Sequence, residues 1–266
     1  MAAVDEACAD LAAEGDALDA MAAGLEPAQW DLPTPAPGWT IAHQVAHLTA
    51  TTAMAAASAS DPETARPQMR SAQHDADFDA AVEASLAPYL AGDPAERLAR
   101  LSAERAALVQ ALLAVPAGRK LPWIVTDMSP ASLATTAIME LFGHGQDIAD
   151  AAGVRREPAD RIRHLARFGV RTRDFAYLAR GLTPPPDEFR VELTAPSGAL
   201  WCYGPDGAAE KVTGPAADFC LLVTRRRHRD DLSLTASGPE ADRWLDIAQA
   251  YAGPPGPGRS PGQFPR

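Results

Sequence analysis

The spacing of apolar residues changes character part-way along this 266-residue chain, and that change limits the folds open to it. Up to about residue 180, leucine, isoleucine and methionine recur at three- and four-residue steps, the repeat that lines one face of an α-helix. After Pro184-Pro185-Pro186, a stiff and extended linker, the step falls toward two, as in Phe189-Arg190-Val191-Glu192-Leu193-Thr194. A run of helices followed by strands describes an α+β chain. The expected organisation is a helical domain over 1–181, a small α+β domain over 188–252 and a Pro/Gly-rich tail over 253–266.

Capping chemistry marks the element boundaries. The first helix is expected from Val4 to Leu25, with Leu11, Leu18 and Met21 on its stripe, and Glu26–Gly38 interrupts it with Pro27, Pro33, Pro35 and Pro37. The next runs from Trp39 to about Ser60, Asp61-Pro62 starts a further turn, and the pattern over Asp75–Leu90 is interrupted at Pro88. Asp93-Pro94 opens a helix through Leu98, Leu101, Leu108 and Leu112 to Pro116. Aspartate caps the free amides there, and proline is tolerated at the first helical position. Ser129-Pro130 opens another, through Ile138, Leu141 and Ile148 to Gly153, and Glu157-Pro158 leads into the last, which ends near Gly181. Beyond the linker, Phe189–Thr194, Leu200–Tyr203 and Asp231–Thr235 read as strands, and Pro215–Thr224 and Pro239–Tyr251 as helices.

Composition removes several classes of function. Thirty-five acids against 24 bases give a net charge of −11, which argues against a basic face for nucleic acid. No apolar run reaches the ~20 residues of a membrane span. The first residues carry acids where a signal peptide carries positive charge, so a soluble cytoplasmic protein is expected. Cys8, Cys202 and Cys220 are odd in number, widely spaced and outside any CxxC pair, so buried free thiols are expected rather than a disulfide framework or zinc ribbon. His74, His164 and His228 stand singly among polar neighbours and read as surface or capping groups.

The other three histidines stand in spaced sets. His43 and His47 are four apart in Trp39-Thr40-Ile41-Ala42-His43-Gln44-Val45-Ala46-His47-Leu48. Glu140 and His144 are four apart in Glu140-Leu141-Phe142-Gly143-His144-Gly145-Gln146-Asp147. Positions i and i+4 share a helix face, so two such side chains can converge on one ion, as the histidines of HExxH sites do. A bare i,i+4 pair is also a simple helix-stabilising contact. Both sets lie beside apolar stripes (Ile41, Val45, Leu48; Ile138, Leu141, Ile148), where an uncompensated carboxylate is costly. Gly143 and Gly145 bracket His144 although each costs about 1 kcal/mol relative to alanine inside a helix. Close backbone approach, room for a ligand or a helix end would each account for them. The Gly-His-Gly is no dinucleotide fingerprint, since it neither follows a strand nor opens a helix.

Pro37-Gly38-Trp39-Thr40-Ile41-Ala42 and Val45-Ala46-His47-Leu48, followed later by Glu140, His144-Gly145 and Asp147, resemble the mycothiol-dependent maleylpyruvate isomerase family. That family belongs to the DinB-like metal-binding helical bundles. The resemblance extends to about residue 252 and is nearest to a subgroup described only as metal-binding. It implies a DinB-like four-helix bundle with additional helices, followed by a small sterol-carrier-like α+β domain. By position it implies His47, Glu140 and His144 as ligands of a divalent ion. His43 has no ligand counterpart and stands where an acid often does; it is a further ligand, a group behind the ligands or a structural polar residue. Asp147 fits a residue that orients a ligand or caps backbone. The family's Gly-Arg after an apolar helix reads Arg225-Arg226 here, which puts Arg226 at the position of the arginine thought to face the active site. A solvated basic cluster beside Asp230-Asp231 is the alternative. Trp39 and Trp123 are candidate walls of a cofactor pocket, with core packing the alternative.

Two imidazoles and one carboxylate leave positions open on a divalent ion, as a catalytic site requires. Zn²⁺ suits these donors best, and Ni²⁺, Co²⁺, Fe²⁺ and Mn²⁺ accept the same ligand types. Metal coordination turns a thiol into a thiolate, and no cysteine is near either ligand block in sequence, which fits a sulfur supplied by a soluble cofactor. The resemblance implies mycothiol, whose thiolate adds to an electron-poor double bond; a bond rotates and elimination gives the isomer. Without elimination the same site is an S-transferase. A thiol-independent metal hydrolase or lyase and a non-enzymatic small-molecule binding protein are the alternatives. The expected partner is a small-molecule substrate, and the expected state a monomer or homodimer.

Overall fold

Local capping explains where the helices of the first unit, Met1–Arg156, begin and end. In the computed structural model, which describes residues 3–74, 78–253 and 256–264, they are α1 (Ala3–Ala23), α2 (Ile41–Ser60), α3 (Pro62–His74), α4 (Phe78–Leu90), α5 (Pro94–Ala114) and α6 (Pro130–Ala152). Asp93 accepts from the Glu96 amide at 2.9 Å while Glu96 accepts from the Asp93 amide at 3.0 Å, a reciprocal box that starts α5. The Ser129 hydroxyl accepts from the Ser132 amide at the start of α6, and Gly153, at φ 67°, ends it in the left-handed conformation glycine favours. α1, α2, α5 and α6 pack as a four-helix bundle, with α3 and α4 against α2. Its core holds Leu11, Leu18, Val45, Leu48, Leu101, Leu108, Ile138 and Ile148.

Pro88 does not interrupt α4 but lies in its last turn, because Ala84, whose carbonyl loses an amide partner, is exposed to water there. The expected start of that pattern, Asp75–Asp77, and the side chain of His74 lie outside the described residues. The proline-rich interruption between α1 and α2 is closely tied. It contains a 3₁₀ turn at Pro27–Asp31, a bridge between Pro33 and Thr40, and hydrogen bonds from Thr34 N to Trp39 O (2.8 Å) and from Trp39 N to Ala36 O (3.1 Å).

The second unit, Glu157–Arg266, contains α7 (Arg163–Arg171), α8 (Arg173–Leu178), β1 (Arg190–Thr194), β2 (Leu200–Tyr203), β3 (Lys211–Pro215), α9 (Ala216–Val223), β4 (Thr235–Ser237) and α10 (Pro239–Ile247). The sheet order is β2-β1-β3-β4, with β1 and β3 parallel at the centre and antiparallel strands outside. The chain is therefore α+β as a whole. Phe189 and Phe219 each meet Trp244 edge-on at 5.7 Å in the core of this unit.

Three expectations change here. The division falls at 156/157 rather than at the proline linker, since α7 packs on α9 and α8 on α10. Gly169 lets α7 approach closely; a Cβ there would lie 3.0 Å from Phe219 and Val223. The central strand β3 is not among the expected strands, and Asp231–Thr235 is replaced by a 3₁₀ turn at Arg229–Asp231 with β4 after it. Cys8 and Cys220 are buried, but Cys202 is exposed, because it alternates outward on β2 opposite Glu192. Among the described residues no helix is long and apolar enough to cross a membrane.

Candidate metal centre

Two helices of the first unit build the site. Thr40 caps α2, and His43 in the first turn turns back to it: Nδ1 accepts from the Thr40 amide at 3.3 Å and lies 2.8 Å from the Thr40 hydroxyl. His43 is therefore a capping group and stays outside the cluster. One turn further on, His47 faces α6. Its Nε2 is 3.6 Å from Glu140 Oε2, and His144 Nε2 is 3.2 Å from the same oxygen. One ligand atom from each of the three side chains lies within 4.8 Å of the others.

This geometry fits a metal ion. Bonds of about 2.0–2.1 Å to a tetrahedral ion put neighbouring donors about 3.3 Å apart, close to the two separations above. Electrostatics point the same way. Burial alone would raise the Glu140 carboxyl, but hydrogen bonds and charge from His144 and His47 outweigh it and hold the group well below the usual carboxylate range. Glu140 is thus anionic at neutral pH, as a ligand must be.

The surroundings assign the remaining candidates. The Trp39 ring lies 5.1 Å from that of His47 and is stacked 6.1 Å from that of His144, and its indole N–H donates to Glu83 Oε2 on α4 at 3.2 Å. Trp123 packs instead against the hydrophobic core. A Cβ on Gly145 would meet the Arg156 guanidinium and Leu18 at 3.2 Å, so close approach accounts for that glycine. Arg156 itself binds Glu14 and the Phe142 carbonyl. Asp147 is fully buried on α6.

Arg226 belongs to the second unit, where its guanidinium donates to Thr224 O at 2.7 Å. Arg225 has φ 57°; its amide donates to Leu222 O and that of Arg226 to Leu221 O. These are the paired bonds of a left-handed helix terminus. α9 thus ends in a conformation that glycine favours, with an arginine in that position and Arg226 immediately after it.

No sequence motif marks Gln44 or Thr34 as part of the site. Gln44 is fully buried, its Oε1 is 2.6 Å from His144 Nδ1, and its Nε2 donates to Thr34 Oγ1 at 2.8 Å. A glutamine on the stripe of Ile41, Val45 and Leu48 was the one available clue: a polar group on an apolar face needs a partner.

The sequence profile described as the mycothiol maleylpyruvate isomerase N-terminal domain matches residues 11–149, a span that contains all three side chains of the cluster. The chain belongs to that family. Two uncharacterized Mycobacterium tuberculosis proteins, from strains CDC 1551 / Oshkosh and ATCC 25618 / H37Rv, are each 50% identical over 254 residues, covering 94% of this chain and 97% of theirs. The fold is similar to crystal structures of the mycothiol-dependent maleylpyruvate isomerase and of a histidine-to-alanine mutant of it. Their TM-scores are 0.59 and 0.57 at 15% and 14% identity, with 89% of this chain and 95% of theirs covered. A second profile, described as wyosine base formation, matches residues 185–237 of the sheet-bearing unit.

Proposed function

We propose that this chain is a divalent-metal enzyme that uses a low-molecular-weight thiol of the mycothiol type to isomerise or conjugate a small electrophilic, unsaturated molecule. The convergence of His47, Glu140 and His144 carries this reading: three donors from two helices, with spacing that suits one ion. Two imidazoles and one carboxylate contribute a single negative charge, so a bound dication keeps a net positive charge to offer an anionic fourth partner. When bound, such an ion supplies the Lewis acidity that lowers the pKa of a thiol toward neutrality. Zn²⁺ suits the donor set best.

The chain's own residues do the rest. Glu140 provides the anionic ligand, and Trp39 closes one side of the two imidazoles with an apolar ring that limits water. The cluster contains no cysteine, which supports a sulfur brought from outside. Arg226 is assigned to an anionic group of substrate or cofactor. The relatives that share the fold are described as mycothiol-dependent isomerases, which favours isomerisation over conjugation.

Metal analysis of the purified protein, paired with a His144→Ala variant, is the first test. About one divalent ion per chain is expected in the parent and none in the variant. Turnover of an electron-poor unsaturated acid is then measured with and without thiol. Loss of turnover without thiol supports the reading; a parent free of metal refutes it, and thiol-independent turnover replaces it with a metal hydrolase or lyase.

A further inference from the structure

Gln44 joins the metal cluster to the loop before α2 through hydrogen bonds whose direction can be worked out from one end. The Thr34 hydroxyl donates to the Trp39 carbonyl at 2.9 Å, and a carbonyl can only accept. The Thr34 oxygen therefore accepts from Gln44 Nε2 at 2.8 Å. That leaves the other end of the amide, Oε1, against His144 Nδ1 at 2.6 Å. An amide oxygen also only accepts, so Nδ1 carries the proton. Turning the amide over would set its NH₂ against Nδ1 and make Thr34 donate to the amide oxygen, abandoning the Trp39 carbonyl. Gln44 has no exposed surface through which water could restore what is lost.

With the Nδ1 proton committed, the Nε2 lone pair of a neutral His144 faces Glu140 Oε2 at 3.2 Å. Two lone pairs at that distance repel unless a cation lies between them, either a proton, as in the hydrogen bond that holds the Glu140 carboxyl low, or the divalent ion that takes its place. We propose that Gln44 is a positioning residue: it fixes His144 in the Nδ1–H tautomer and aims Nε2 at the point shared with Glu140 and His47 where the divalent ion binds. Thr34 anchors Gln44, so the proline-rich loop sets the orientation of an imidazole on a different helix. The inference rests on the metal reading above. It applies to one histidine only, since Nδ1 of His47 is buried with no hydrogen-bond partner among the described residues. Partners behind a ligating histidine of this kind typically change metal affinity about 10–100-fold.

The test uses the full chain with zinc as the probe and two substitutions at Gln44. Gln44→Leu keeps the size and removes the acceptor; Gln44→Glu keeps an acceptor oxygen. Zinc affinity is measured by competition with a chelating dye, and the His144 ring protons by ¹H–¹⁵N NMR of the zinc-loaded protein. The expected result is an affinity about 10–100-fold weaker in Gln44→Leu and retained in Gln44→Glu. A protected Nδ1–H resonance is expected in the parent and in Gln44→Glu, exchanging away in Gln44→Leu. Zinc affinity of Gln44→Leu within about twofold of the parent, or His144 ligating through Nδ1, overturns the inference while leaving the metal reading intact. A parent that takes up no zinc overturns both, because the proposed role has no ion to serve.

Discussion

The two units treat charge in opposite ways. The first places ionised groups inside a helical bundle and compensates them individually: buried Glu14 has Arg156, and buried Arg105 has Asp16 and Asp19. The second keeps an aromatic core of Phe189, Phe219 and Trp244 and sets its charges along the strands, with Glu192 between Arg190 (3.1 Å) and Lys211 (2.6 Å). Desolvation makes the difference informative. A buried charge is retained only with a partner, whereas a charge on a strand's wet face needs none. Within the first unit Glu140 stands apart, because its partners are imidazoles, whose charge is conditional. A carboxylate matched by two neutral rings is fully compensated only when a cation joins them.

Breaking the Glu14 pair tests the strongest form of this contrast. Arg156→Met is expected to cost about 3–5 kcal/mol in chemical denaturation, since it removes a salt-bridge partner of a buried carboxylate; an unchanged midpoint would show that Glu14 does not depend on this pair. A smaller effect of opposite sign is expected in the second unit. Arg225→Gly should stabilise by roughly 1 kcal/mol, because glycine adopts the left-handed terminus of α9 without the Cβ penalty. Destabilisation would mean that the Arg225 side chain contributes more than its backbone costs. The smallest effect is expected on the sheet, where Lys211→Ala should change stability by less than about 0.5 kcal/mol and fade further in high salt. A loss comparable to that of Arg156→Met would erase the distinction between the units.

What could be read from the sequence was what local chemistry encodes. The Asp93 and Ser129 caps predict the starts of α5 and α6 because a cap depends on residues three apart in sequence. The i,i+4 spacing of Glu140 and His144 is likewise set by one helix, and the family resemblance supplied His47 as their partner across the bundle. β3 was hidden because Lys211-Val212-Thr213-Gly214-Pro215 is short and ends in turn residues; its extended form depends on ladders to β1 and β4 on either side. The unit boundary was hidden for a related reason, since only contacts with α9 and α10 show where α7 and α8 belong. Gln44 and Thr34 carry no period and no motif, and their importance arises from packing between distant segments.

The stretch from Pro33 to Pro37 has three of its five backbones restrained by proline rings before folding begins. Little conformational freedom remains for it to surrender when it closes onto Thr40. A hydroxyl mounted there arrives nearly still, and that stillness passes through one amide to an imidazole ring a hundred residues later in the chain.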